Sequence, residues 1–186
     1  MANKSVILVG GGTRSGKSRF ALSLAAKLGT RRLFVATGQA KDAEMATRIR
    51  AHQQSRGATF PTLEEPLALP EALHNVNNAD VVVIDCLTLW LANLLLEGKP
   101  ADEIDRRVRD LGAVLERRAF HAIVVTSEVG MGIVPESALG RLFRDIAGMA
   151  HQRLSEQADE VYFALLGTML RLKPQPAFIP WDKGSI

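Results

Sequence analysis

The chain of 186 residues has a single cysteine, Cys86. No intrachain disulfide can form, so the fold must rest on its core, and the composition suits a reducing compartment. Aromatics are scarce at 5%, with one tyrosine and two scattered tryptophans. That counts against the base-stacking grooves with which proteins hold nucleic acid. No dense basic block occurs either. Lys and Arg number 23 against 20 Asp and Glu, a net charge of +3. So mild an excess suits an anionic small ligand at least as well as a polymer. Long hydrophobic runs are also missing. Val6–Val9 is too short for a signal-peptide core, and Val81–Leu96 is broken by Asp85, Thr88 and Asn93. The expectation is a cytoplasmic protein without stable membrane insertion or a nucleic-acid partner. No Asn-Lys-x-Asp motif of the kind that reads guanine is found.

What is present is an alternation of short apolar runs with amphipathic segments. Strands are expected at Val6–Val9, Leu33–Ala36, Val81–Ile84 and Ile123–Thr126, and helices at Gly16–Leu28, Asp42–Arg56, Ala101–Ala119 and Ser137–Gln157. In the last helix Leu139, Leu142, Phe143, Ile146, Ala150 and Leu154 form one apolar stripe. Val161–Leu165 and Met169–Leu172 flank Gly167-Thr168 and predict a C-terminal hairpin. This order implies a mostly parallel α/β sheet flanked by helices. One domain is expected over residues 1–173. The proline-rich residues 174–186 are expected as a tail, on the surface or disordered.

"GGTRSGKS", Gly11 to Ser18, fits the phosphate-loop pattern G-x-x-x-x-G-K-[ST]. Backbone N–H groups can converge on a phosphate only where side chains do not block them, which is what glycine permits. The helix that follows adds unpaired N–H groups and the positive end of its dipole. The site residues read from this run are Gly11, Gly12, Thr13, Arg14, Ser15, Gly16, Lys17 and Ser18. Lys17 reaches for the β- and γ-phosphates and Ser18 for Mg²⁺. An ordinary glycine turn is the alternative, and the strand before and helix after argue against it.

"VVVIDC" is a buried strand ending in a carboxylate. Asp85 is expected at the carboxyl edge of the sheet as a second Mg²⁺ ligand. A helix N-cap for Leu87–Leu96 is the competing role, and the phosphate loop upstream favours the metal. Arg48, His52 and Arg56 are spaced four apart and share a helix face. Flanking cations disfavour protonation of an imidazole, and a neutral ring can attack phosphorus. From that segment alone, a solvated surface histidine is the simpler reading. His74, His121 and His151 are given no catalytic role.

The order of segments carries more. "GGTRSGKS" is followed by "ATGQAKDAEMATRIRAHQQSR", "TLEEPLAL", "DCLTLWLANLL", "TSEVGMGIVPESALGRLFRDIAGMAHQRLSEQADEVY" and "GTMLRLK". The series resembles the bifunctional adenosylcobinamide kinase / adenosylcobinamide-phosphate guanylyltransferase family of cobalamin biosynthesis, from about Val6 to Lys173. The resemblance implies a RecA-like P-loop NTPase core, a homotrimer, and two reactions. A nucleoside triphosphate, ATP or GTP, phosphorylates adenosylcobinamide. GTP then donates GMP through a histidine intermediate, giving adenosylcobinamide-GDP and pyrophosphate.

By position, the resemblance puts the guanylylated histidine on His52. It puts nucleotide contacts on Thr37, Gly38, Gln39, Gln53, Gln54, Ser55, Arg56, Glu64 and Asp85. For "EVGMGIVPE", Glu128 to Glu136, a structural loop and a ligand loop remain equal readings. The chain departs from the family's pattern at Ser127 and His151, where Asn is usual, and at Phe60, where Trp is frequent. Because Lys17 serves the β/γ-phosphates and His52 must reach the α-phosphorus, two nucleotide poses or movement of the Asp42–Arg56 helix is expected.

Overall fold

The computed structural model describes residues 4–40, 43, 47 and 59–179. In chain order the described elements are β1 (Val6–Gly11), α1 (Lys17–Leu28), β2 (Arg32–Ala36), β3 (Thr62–Glu64), α2 (Leu69–His74), β4 (Val81–Asp85) and α3 (Leu87–Leu96). They continue with α4 (Ala101–Glu116), β5 (His121–Val125), α5 (Ala138–Gln157), β6 (Glu160–Leu165), β7 (Thr168–Lys173) and β8 (Ala177–Ile179). The expected helix Asp42–Arg56 lies outside the described residues except for positions 43 and 47.

Eight strands form one sheet in the order β3-β2-β4-β5-β1-β6-β7-β8. All pairings from β3 to β6 are parallel, and β7 and β8 join antiparallel. The central strands read as continuous apolar runs because both faces are covered. Val6 and Leu8 enter one core cluster with residues of α2, α3, α4 and α5, while Ile7 and Val9 enter another with Phe20, Ala21 and Ala25 of α1. This is the two-residue alternation of a strand sandwiched between helix layers.

Three features depart from the expectations. β3 and α2 are not announced by periodicity, and part of the proline-rich tail adds β8 to the sheet, with Met169 opposite Ile179. The stripe of α5 buries only its later part. Ile146, Ala150 and Leu154 are in the core, whereas Leu139 and Leu142 are 50% and 38% exposed. Ser137 caps α5, its Oγ accepting from the Gly140 amide at 3.1 Å.

Candidate functional site

Parallel strands deliver their carboxyl ends to one edge of the sheet, and the candidate residues gather there. β1 ends at Gly11, with φ of 150°. A Cβ at this position would come within 2.8 Å of the Ala164 carbonyl and 2.9 Å of both Ala164 Cβ and Ser15 Oγ. Only glycine fits so close to β6. The chain then turns, with the Ser15 amide donating to the Gly12 carbonyl at 3.3 Å. Gly16, at φ 91°, starts α1, and no side chain caps the helix. The first turn of α1 also holds no acidic residue, so the positive end of its dipole is left for a ligand.

Lys17 is only 8% exposed, and its Nζ donates to the Gly12 carbonyl at 2.9 Å. The ammonium is thus held across the loop. Ser15 Oγ is buried without a hydrogen-bond partner. An orphaned hydroxyl inside a glycine loop fits a site completed by a polar ligand. Ser18, half-buried, follows in the first turn of α1.

Across the sheet, Asp85, Val125 and Val9 stand at one level on three adjacent strands. Asp85 is the last residue of β4 and half-buried. The N-cap residue of α3 is Cys86, one position further on. Thr37, after β2, is fully buried. Its Oγ1 donates to the Cys86 carbonyl and accepts from the Cys86 amide, both at 2.8 Å, while its own amide donates to the Asp85 carbonyl at 3.2 Å. The hydroxyl is therefore spent on holding the β2 and β4 ends together. Asn93 adds a clamp, its Nδ2 donating to the carbonyls of Thr37 and Pro66. Gly38 and Gln39 follow, half-buried, and Glu64 ends β3 exposed. Burial pushes the Cys86 thiol up to about 11, which makes it a poor nucleophile at neutral pH.

β5 lies between β1 and β4, and its end carries a polar group that joins residues far apart in the sequence. The Thr126 amide donates to the Val9 carbonyl and the Glu128 amide to the Gly11 carbonyl, at 2.9 and 3.0 Å. Thr126 Oγ1 lies 2.7 Å from His151 Nε2, and His151 Nδ1 lies 3.5 Å from Glu128 Oε2. Burial lowers the His151 pKa, and the Glu128 charge opposes that shift. The signal was present: His151 falls four residues after Ala147 and three before Leu154, on the buried stripe of α5, where a histidine must find partners. Beyond Glu128 the loop exposes Met131, Ile133 and Val134 at 78%, 96% and 63%. Arg144 holds this loop by its Gly130 and Ile133 carbonyls, and Arg141 by those of Pro135 and Glu136.

The structure thus brings the phosphate loop, Thr37 to Gln39, Glu64 and Asp85 to one edge. His52, Gln53, Gln54, Ser55 and Arg56 lie outside the described residues. Among the described residues no three His, Cys, Asp or Glu side chains cluster as a metal site. Ser18 and Asp85 nevertheless offer the hard oxygen donors that Mg²⁺ takes alongside phosphate oxygens and water. No described helix is long and apolar enough to cross a membrane.

A strand, a glycine loop and a helix, with a carboxylate two strands away across β5, define a P-loop NTPase core of the RecA-like kind. Solved structures share this fold. The RadB recombinase superposes with a TM-score of 0.54 at 15% identity, covering 95% of this chain and 86% of its own. The flagellar accessory protein FlaH of Methanocaldococcus jannaschii gives 0.52 at 13%, covering 96% and 91%. Sequence narrows the class further. The family model for cobinamide kinase / cobinamide phosphate guanyltransferase matches residues 7–172, and the chain belongs to that family. The bifunctional adenosylcobalamin biosynthesis protein CobP of Pseudomonas aeruginosa is 42% identical over 170 residues, which is 91% of this chain and 98% of the relative. CobU of Escherichia coli is 40% identical over 181 residues, 90% and 99%. Kinase and guanylyltransferase are the two activities of this chain.

Proposed function

We propose that one edge of one sheet serves both reactions, with adenosylcobinamide as the first acceptor and adenosylcobinamide phosphate as the second. The observation that carries this reading is the uncapped glycine loop with the Lys17 ammonium held against the Gly12 carbonyl. In the first reaction the acceptor hydroxyl attacks the γ-phosphorus of a nucleoside triphosphate. The bond to the β,γ-bridging oxygen breaks and the diphosphate leaves. Backbone amides from Gly12 to Ser18 and the Lys17 ammonium take up the negative charge of the phosphates. Thr13 and Arg14, exposed on the loop, flank them, and Gly38, Gln39 and Glu64 contact the nucleotide from the neighbouring strand ends. Thr37 sets that turn rather than offering its hydroxyl. Ser18 and Asp85 would hold Mg²⁺, which would supply Lewis-acid neutralisation of the triphosphate.

In the second reaction a neutral His52 attacks the α-phosphorus of GTP and expels pyrophosphate. The acceptor phosphate then displaces the histidine, breaking the N–P bond. Gln53, Gln54, Ser55 and Arg56 contact the same nucleotide. A lysine that serves the β- and γ-phosphates and a histidine that serves the α-phosphorus call for either two nucleotide placements or movement of the expected Asp42–Arg56 helix. The assembly is a homotrimer in the cytoplasm with sites near subunit boundaries, which light scattering of the purified protein checks.

Incubation with GTP labelled at the α-phosphate tests the covalent step. Label is expected to stay on the protein, to survive alkali, to be lost in acid, and to be absent from His52→Ala. Label retained by that variant places the nucleophile elsewhere. An unlabelled wild type that still phosphorylates cobinamide reduces the reading to a P-loop kinase without a covalent intermediate.

A further inference from the structure

The polar group at the end of β5 is not used by either reaction as described, yet it adjoins the phosphate loop. The Glu128 amide donates to the carbonyl of Gly11, so the residue's backbone adjoins the start of the phosphate loop. Its carboxylate is open to solvent, the side chain being 26% exposed. Its Oε1 accepts from the Gly130 amide, and Oε2 faces His151.

Donor and acceptor counting orients the chain of groups behind it. A carboxylate only accepts, so the His151 nitrogen facing it, Nδ1, carries the proton. Burial disfavours the charged ring, so Nε2 holds a lone pair and accepts from Thr126 Oγ1 at 2.7 Å. Thr126, its proton committed, accepts from Thr88 Oγ1 at 3.2 Å. Thr88 Oγ1 in turn accepts from the Ser127 amide at 2.6 Å. Every member has a partner, and the relay fixes one tautomer and one ring orientation. So ordered a support behind one glutamate at a phosphate loop is costly for a surface side chain and suits a carboxylate with a task.

We propose that Glu128 takes the proton of the acceptor hydroxyl during phosphorylation, with His151 as its positioning residue. The hydroxyl oxygen forms the new bond to the γ-phosphorus. The bond to the bridging oxygen breaks, its electron pair leaves with the nucleoside diphosphate, and the hydroxyl proton passes to Glu128 and then to water. His151 Nδ1 lies 3.5 Å from Glu128 Oε2, close enough to orient the carboxylate. The assignment rests on the kinase reading above. It separates the two activities, because guanylyl transfer goes to a phosphate that is already ionised and has no hydroxyl proton to lose.

The test assays wild type, Glu128→Gln, His151→Ala and His151→Asn separately. One assay follows phosphorylation of adenosylcobinamide, the other guanylyl transfer to preformed adenosylcobinamide phosphate. Glu128→Gln keeps the shape and the Gly130 bond but cannot accept a proton. Its phosphorylation kcat is expected to fall about 100-fold or more, as for loss of a general base. KM for the nucleotide and the rate of guanylyl transfer are expected to stay within about threefold. His151→Ala is expected to lower phosphorylation kcat about tenfold, and His151→Asn, which still donates from the Nδ1 position, to restore most of it. The proposal is overturned if Glu128→Gln retains its phosphorylation kcat, or if both activities fall together in all three variants. A wild type that transfers GMP but never phosphorylates would overturn the kinase reading together with this one.

Discussion

The two ends of the sheet are built on opposite terms. At the amino-terminal end of the strands, polar groups are matched to one another. Asp80 accepts from the amides of Thr30 and Arg31 and from the Arg31 guanidinium. Asp159 accepts from the Val6 amide at 2.7 Å and from Arg118. The Ser5 amide donates to His121 Nδ1. These bonds stitch β1, β2, β4, β5 and β6 together where no ligand is expected. At the carboxyl end, α1 is uncapped, Ser15 Oγ has no partner, and Lys17 lies across an open glycine loop. The contrast teaches that, on the proposed function, stability and chemistry fall to different edges of one sheet. A buried polar group left unmatched costs stability; at Ser15 a ligand at the carboxyl edge can offset that cost, whereas Arg153 Nε and Gln157 Oε1, late in α5, are unmatched away from the loop.

Substitutions can therefore break the comparison at either end. The largest effect is expected from Lys17→Ala, with kinase kcat lowered by about 10²–10³, the scale for removing one preorganised charge-stabilising donor. Its melting temperature should barely move, because the lost bond is a loop contact at the functional edge. Gly11→Ala places a methyl group against Ala164. It is expected to cost about 1–3 kcal/mol by overpacking and to abolish nucleotide binding, read by denaturant melts and calorimetric titration. Asp159→Ala reverses the pattern. Leaving the Val6 amide without its partner should cost about 1 kcal/mol or somewhat more, with kcat of both reactions unchanged.

The smallest effect is with pH. The His121 and His151 pKa values are both lowered, first by burial, and for His121 also by Lys4. The unfolded chain therefore binds these protons more readily than the fold does. Stability contributed by the neutral rings is complete above about 6.5 and declines as pH falls below it. The Arg31 guanidinium holds Asp80 well below the usual carboxylate range, so its contribution is lost only in strong acid. Melting curves across mildly acid pH should show the histidine part alone, and it should shrink in His151→Asn.

Much of this was legible in the sequence, for reasons that differ by residue. Val6 to Val9, Val81 to Ile84 and Ile123 to Val125 are β-branched and apolar because helices cover both faces of the sheet, and such runs announce themselves. The phosphate loop was legible because glycines, lysine and serine at fixed spacing have few other uses. β3 was not, since its three residues form an edge strand held mainly by backbone pairing. α2 was hidden by Pro70, which reads as a breaker but here occupies the first turn of the helix. The relay from Thr88 to Glu128 joins residues up to 63 positions apart. No local pattern encodes a contact between separate strand ends and a helix. His151, a polar ring on a buried stripe, gave one hint, and the Glu128–Glu136 loop, readable as a ligand loop, gave another.

The central claim is that the triphosphate is held at the carboxyl edge and nowhere else. Hydrogen exchange with and without a non-hydrolysable GTP analogue and Mg²⁺ measures it directly. Slowed exchange is predicted for the amides of residues 12–19 and 127–130, with none at residues 30–32, 78–81 or 159. Protection at the amino-terminal edge, with the glycine loop unchanged, would contradict the account.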